Sequence, residues 1–337
     1  MRSRLRMALA GSAVLMAAGS TSAATVHTER YSAPAPAPEL SAATLGARYQ
    51  AASREIVRAR ATAERLHDGD RTRILSAFLS PGRRFLSFDA RGHGRAVEVF
   101  GDLVRADRVA VVVPGADNTL STYDSAKFVG GGSRALYQQA LDDQALDDQA
   151  LDDRAPNRRG RAKAPGTRLA VIAWLGYDAP SITSAGVLTG SRATSGARGL
   201  DQLLTGVHRV NGHARFALLC HSYGSVVCGK AARRLAPLPV DEIALFGSPG
   251  TTKRDASDLG TTAHVWAGRA RGDWTRFVPN VRLLGLGFGA DPVSRTFGAL
   301  RFDAGSGPHS GYLKPGSVAL RNLALIALGR DREVTRA

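Results

Sequence analysis

Four uninterrupted apolar runs dominate the central part of the chain: Arg108 to Val113, Leu169 to Trp174, Phe216 to Leu219 and Ile243 to Phe246. A strand with one wet face alternates apolar and polar residues. A run without that alternation has to be covered on both sides. Helical patterns separate the runs, over Ala126 to Leu141, Ala197 to Val210 and Ser225 to Leu235. Buried strands alternating with helices imply an α/β fold with a mostly parallel central sheet and helices on both faces. Two earlier strands, Phe85–Phe88 and Ala96–Phe100, flank a turn through Gly92 and Gly94. They read as a hairpin and predict an antiparallel edge on that sheet.

The segments outside this rhythm are assigned from composition. Residues 1–24 read as a secretory signal peptide: Arg2, Arg4 and Arg6 precede a short apolar stretch, Met7 to Gly19. Small residues at Thr21-Ser22-Ala23 or Ser22-Ala23-Ala24 then fit a cleavage site. The stretch is too short for a membrane span, so the expected location is extracellular. Residues 25–38 form a Pro/Ala-rich spacer, and 39–84 an N-terminal helical appendage. Leu45, Tyr49, Ile56, Ala63 and Leu66 mark the apolar stripe of a helix over 39–67. The main domain is expected over 85–330, followed by a tail, 331–337. Within it, 139–168 reads as a low-complexity insertion. Three copies of Gln-Ala-Leu-Asp-Asp, from Gln139 to Asp153, precede a basic Pro/Gly stretch from Arg154 to Arg168. A period of five carries the leucines around a helix instead of along one face, so a solvated connection is expected.

Charge raises a competing possibility. Lys+Arg 45 against Asp+Glu 29 gives +16, the balance of a polyanion binder. Three of the arginines leave with the signal peptide, and six basic residues of the insertion face six aspartates. No nucleic-acid recognition module accompanies the charge, so no specific nucleic-acid partner is expected. The two cysteines exclude a disulfide-stapled scaffold and a four-cysteine zinc site. Gly285-Leu286-Gly287-Phe288-Gly289 is not clearly followed by a helix, and Gly130-Gly131-Gly132 has no Lys-Ser/Thr partner. Neither a cofactor nor a metal is expected.

The chemistry sits after the third buried run. Cys220-His221-Ser222-Tyr223-Gly224-Ser225 places a serine between a strand and a helix, where a sharp turn lifts its hydroxyl above the sheet. Small residues are needed on both sides because strand and helix backbones approach closely. Gly224 meets that need on one side, and Cys220 stands where a glycine is usual. A serine needs a base, and the base needs an acid to orient it. Of eight histidines only His264 and His309 follow Ser222. His264 would sit at the buried start of a strand, at the wrong end. His309 falls in a Gly-rich loop after the last strand, as a general base should. Asp273 follows the run Val265 to Gly268 and is the expected acid, with Asp291 as the alternative; Asp255 and Asp258 are more remote. An ion pair with Arg269, Arg271 or Arg276 would give Asp273 a purely structural role. The oxyanion donors would be the backbone N–H groups of Tyr223 and Ala116. The arginines beside Asp273 would make a basic rim favouring anionic or polar-headed acyl substrates.

Together, Pro114-Gly115-Ala116-Asp117, His221-Ser222-Tyr223-Gly224-Ser225, Phe246-Gly247-Ser248-Pro249-Gly250, Arg271-Gly272-Asp273-Trp274 and Gly307-Pro308-His309-Ser310 resemble an α/β-hydrolase. More narrowly, the chain resembles an actinobacterial α/β-hydrolase family long catalogued as a domain of unknown function. The resemblance covers roughly residues 85 to 330 and implies a Ser–Asp–His triad at Ser222, Asp273 and His309. The expected activity is hydrolysis of small-molecule or lipid acyl esters through an acyl-enzyme. A peptidase or amidase, and a non-catalytic protein binding the anionic cell envelope or another polyanion, are the alternatives. Cys220 and Cys228 lie eight apart across the turn, one on the strand and one about two turns into the helix. In a secreted chain they are candidates for a disulfide, the alternative being two independent buried thiols.

Overall fold

The computed structural model describes residues 29–154, 166–184, 190–280, 282–283 and 286–337. The expected signal peptide, residues 1–24, lies outside the described residues, as do 25–28 of the spacer and 155–165 of the insertion. Helices α1 (Leu45–Arg65) and α2 (Gly69–Phe78) lead into strands β1 (Phe85–Asp89), β2 (Arg95–Phe100) and β3 (Arg108–Val113). Helix α3 (Val129–Arg154), β4 (Leu169–Leu175), α4 (Ser191–Val210), β5 (Arg215–His221), α5 (Gly224–Leu235) and β6 (Val240–Phe246) follow. The chain continues through β7 (His264–Gly268), the two-residue strands β8 (Arg282–Leu283), β9 (Leu286–Gly287) and β10 (Leu300–Arg301), and α6 (Val318–Leu328).

Eight strands form one sheet in the order β1-β2-β4-β3-β5-β6-β7-β10. From β4 to β10 every pairing is parallel, while β1–β2 and β2–β4 are antiparallel. The expected antiparallel edge is thus present. The apolar runs fill both faces because successive side chains point to opposite sides. Val109, Val111 and Val113 of β3 and Phe216, Leu218 and Cys220 of β5 join the core with α4 and α5. Ala110, Val112, Ala217 and Leu219 face the other way, into the core with α3 and α6. All are buried, at about 1.5–3 kcal/mol for each large side chain. Crossing back over a parallel sheet leaves every strand's C-terminal end on one edge, and the loops after β3, β5 and β7 open there.

Three segments outside the strand–helix rhythm pack into the domain or extend its elements. Residues 39–84 pack on the main domain and share its core: Ile56, Ala63, Leu75 and Phe78 belong to it, and Arg48 Nε donates to the Leu86 carbonyl of β1 at 2.7 Å. Leu66, expected on the stripe, is exposed. The helix expected to stop at Leu141 runs on through the repeat to Arg154. As the period of five requires, Leu141 and Leu146 are exposed. The helix persists because Ala, Leu and Gln favour it and because glutamines bond aspartates one turn on, Gln138 to Asp142 at 2.9 Å and Gln139 to Asp143 at 3.1 Å. The tail is docked: Asp303 N–H donates to the Thr335 carbonyl at 2.9 Å, Val334 is buried, and the Arg336 guanidinium lies over the Trp266 ring.

Candidate active site

The turn between β5 and α5 carries Ser222 at φ +52°. That left-handed conformation is unfavourable for a residue with a side chain, by about 1–3 kcal/mol. It is enforced from both sides. Ser222 N–H donates to the Phe246 carbonyl at 3.0 Å, and Ser225 Oγ donates to the Cys220 carbonyl at 3.1 Å. Gly224 has no room for a side chain: a Cβ there would lie 2.4 Å from the Val113 carbonyl oxygen. Cys220, on the α5 side of β5, is disulfide-bonded to Cys228 of α5, with their Cα atoms 6.4 Å apart. The departure from glycine therefore links the strand covalently to the helix across the turn.

Ser222 Oγ lies 2.9 Å from His309 Nε2. His309 Nδ1 lies 2.9 and 3.0 Å from the two carboxylate oxygens of Asp273. The loops that supply these residues meet in an isolated parallel bridge between Gly272 and Pro308, the residues immediately before the acid and the histidine. One backbone pairing thus sets the separation of the two side chains. Asp273 is fully buried, and burial alone would favour its neutral form. Hydrogen bonds from His309, Tyr312 and the Thr275 amide outweigh that and hold its carboxyl well below the usual carboxylate range. No arginine pairs with it among the described residues. Arg269 pairs with Asp291 instead. Asp291, the alternative acid, also accepts from Val293 N–H and stands outside the constellation. Asp258 is paired with Arg254, and Asp255 accepts from Ser257 Oγ.

The expected oxyanion loop lies against the serine. A Cβ on Gly115 would meet Ser222 Cβ at 2.6 Å, so only glycine permits this approach. Asn118, itself buried, fixes the loop. Its Nδ2 donates to the Gly115 and Ala116 carbonyls at 3.3 and 3.2 Å, and its Oδ1 accepts from the Val129 amide at 3.0 Å. Tyr177 OH donates to the Pro114 carbonyl at 2.7 Å. Ala116 and Tyr223 thus flank the serine, and their amides donate to no other described residue.

Four contributors were not legible as site residues. Tyr312 OH donates to Asp273 Oδ2 at 2.5 Å and accepts from Ala270 N–H at 3.0 Å. Ser317, the N-cap of α6, holds the Tyr312 carbonyl at 3.0 Å. Gly247 sits at φ +56°, with Asp273, Tyr312 and His309 all within 3.2 Å of where a Cβ would be. His221, although adjacent to Ser222, does not turn toward it as a base. Its Nε2 lies 3.0 Å from the His309 carbonyl, and its ring stacks on Phe246 with centroids 5.1 Å apart. Burial, and then the neighbouring His309, push the His221 pKa down to about 3. It is therefore a neutral donor that holds the His309 loop.

His264 begins β7, as expected, but is exposed rather than buried. It lies 3.2 Å from Glu242 and 3.0 Å from Asp331, and these three form the one grouping with metal-ligand spacing among the described residues. They sit at the opposite end of β7 from Gly268, away from Ser222. Trp266 Nε1 donates to Glu242 at 2.6 Å, so protein groups already satisfy this cluster in part.

A mostly parallel doubly covered sheet with a left-handed serine on its central strand–helix turn is the architecture of an α/β-hydrolase. The chain belongs to this family: the Alpha/beta hydrolase family profile matches residues 89–283, which include Ser222 and Asp273. Similar curated proteins are actinobacterial. An uncharacterized protein of Mycobacterium tuberculosis, Rv2079, is 30% identical over 270 residues, 71% of this chain and 37% of its own length. A second from the same organism, Rv0963c, is 37% identical over 94 residues, 27% of this chain and 34% of its own length. The chain thus spans little more than a third of these relatives. Among solved structures, the esterase LipW from Mycobacterium marinum is 12% identical, with a TM-score of 0.39 over 87% of this chain and 97% of that one.

Proposed function

We propose that this protein is a serine hydrolase in which Ser222 is the nucleophile, His309 the general base and Asp273 the group that orients it, acting on carboxylic esters. The observation that carries the reading is the unbroken series of contacts from Ser222 Oγ to His309 Nε2 at 2.9 Å and from Nδ1 to Asp273 at 2.9 Å. His309 takes the Ser222 proton as Oγ attacks the ester carbonyl. The Tyr223 and Ala116 amides stabilise the oxyanion that develops. The C–O bond to the alcohol breaks as His309 passes the proton to the departing oxygen, leaving an acyl-Ser222. Water, deprotonated by His309, then releases the acid and restores the serine. Asp273 stays ionised throughout and stabilises the transient imidazolium.

Secretion is part of the proposal. The Cys220–Cys228 disulfide supports it, since such bonds persist in oxidising compartments, as does the charged-then-apolar N-terminus. A fluorophosphonate probe should label the wild type and leave Ser222→Ala unlabelled. Ser222→Ala should also lower p-nitrophenyl acetate hydrolysis by at least about 10³-fold. A folded wild type that does not label would overturn the reading and favour a binding protein on a hydrolase fold. A panel of p-nitrophenyl esters beside the matching anilides separates esterase from amidase.

A further inference from the structure

The turn that carries Asp273 also carries an aromatic surface with no role in the chemistry above. Trp274 and Phe277 lie on a single 3-10 turn and are 42% and 73% exposed. The Trp274 ring centroid is 4.6 Å from that of the His309 imidazole. Asp273 caps the turn, its Oδ1 accepting from Thr275 N–H at 2.8 Å. The carboxylate that orients His309 therefore also fixes the aromatic ledge beside it. Arg276 lies over the Phe277 ring, 4.5 Å from its centroid, and its Nη1 donates to the Arg271 carbonyl at 3.1 Å. Arg269 is taken by Asp291, but Arg271 and Arg276 face no carboxylate among the described residues. The basic rim expected from sequence thus narrows to two guanidinium groups on the edge of an apolar ledge.

We propose that residues 271–277 form the leaving-group subsite, which takes esters whose alcohol portion is apolar and bears an anionic group. This rests on the reading of Ser222 and His309 as the hydrolytic pair. The departing oxygen must reach His309 Nε2 to receive its proton, so the skeleton attached to it lies beside the ring on which Trp274 packs. A flat apolar skeleton covers Trp274 and Phe277 there, withdrawing exposed aromatic surface from water. A carboxylate or phosphate at its far end meets Arg271 and Arg276. The acyl chain, bonded to Ser222 after the first step, extends away from this ledge.

The test compares rates of the full chain on four acetates: ethyl, 2-naphthyl, phenyl and 4-carboxyphenyl. Ratios taken within each variant and divided by the wild-type ratio cancel the intrinsic reactivity of the leaving groups. Trp274→Ala should lower the 2-naphthyl-to-ethyl ratio of kcat/KM about tenfold, and Phe277→Ala, at a far more exposed position, about threefold. Arg276→Gln and Arg271→Gln should each lower the 4-carboxyphenyl-to-phenyl ratio about threefold at low salt, and the effect should shrink as salt screens it. If Trp274→Ala does not fold, Phe277→Ala decides the apolar half. A wild type that hydrolyses these esters while every variant keeps the wild-type ratios overturns the subsite and leaves the hydrolase reading standing. A wild type that neither labels with fluorophosphonate nor hydrolyses any of them overturns both.

Discussion

The Tyr312 hydroxyl donates to Asp273 Oδ2 at 2.5 Å, the oxygen that also lies 3.0 Å from His309 Nδ1. Tyr312 is buried, and its own ionisation is pushed up by burial and by the Asp273 charge, so it stays a donor. Tyr312→Phe should lower kcat about tenfold with little change in KM, because it frees the acid without touching substrate. It also strands the Ala270 amide, at about 1–3 kcal/mol of stability. Asp273 has a depressed pKa, so its stabilisation is present above the ordinary carboxylate range and lost as pH falls. The variant should therefore lose less stability on acidification than the wild type. Wild-type kcat in Tyr312→Phe would refute the positioning role.

Gly247 is the second supporting position. An alanine there would put Cβ 2.9 Å from Asp273 Oδ2 and from Tyr312 Cε2. Gly298 is a matched control: it also has positive φ, +79°, but a Cβ would find nothing within 4 Å. Both substitutions cost about 1 kcal/mol in backbone strain. Only Gly247→Ala displaces the acid and the base, so its kcat/KM should fall by at least about 100-fold, while Gly298→Ala keeps near wild-type turnover. Equal losses in the two variants would mean that strain, not the collision, matters at Gly247.

What the sequence revealed tracks how local each signal is. The apolar runs of β3, β4, β5 and β6 carry their own burial requirement, so the sheet was legible strand by strand. Ser222 was legible because the turn it occupies is written in six consecutive residues, Cys220 to Ser225, and His309 because so few histidines follow Ser222. Position favoured Asp273 without removing Asp291; the Arg269 pairing that removes Asp291 is a tertiary contact between the loop after β7 and a segment 22 residues on. Tyr312, Gly247 and His221 gain their roles only when the Gly272–Pro308 bridge draws two loops together. The continuation of α3 was missed for the opposite reason. The period of five forbids a leucine seam, but helix propensity and Gln–Asp bonds do not need one. The docked tail depends on pairing with Phe302, which no local pattern announces.

The disulfide should stabilise the turn rather than serve in the chemistry. Closing a loop of this length lowers the entropy of the unfolded chain by the equivalent of about 2.5 kcal/mol. Both cysteines are fully buried, so the bond should resist reductant until the domain unfolds. The double variant Cys220→Ala, Cys228→Ala should melt about 5 °C lower and keep kcat within about threefold of the wild type, since Ser222 is held independently through Phe246 and Ser225. A thiol assay on denatured, unreduced protein should find no free thiol, and two reactive thiols would refute the bond.

His221 should make the protein acid-sensitive. Its ring is enclosed by Phe246, His309 and Tyr312, with centroids 5.1, 4.9 and 5.7 Å away, and among the described residues Asp273 is the one carboxylate that acts on it. Burial and His309 together outweigh that carboxylate, so its pKa falls to about 3 from an ordinary value of about 6.5. Between those values the unfolded chain binds a proton that the folded chain refuses. Stability is therefore complete above pH about 6.5 and declines as pH drops, by roughly 2 kcal/mol over the first two pH units. Glutamine at this position keeps an N–H donor for the His309 carbonyl but cannot titrate. Chemical denaturation of the wild type and His221→Gln at intervals from pH 7 to 4.5 should give curves that converge toward acid, because only the wild type carries the proton-linked loss. Parallel curves would show that the imidazole titrates in the folded protein as it does in the unfolded chain, and the role of His221 as a donor kept neutral by burial would fall with that result.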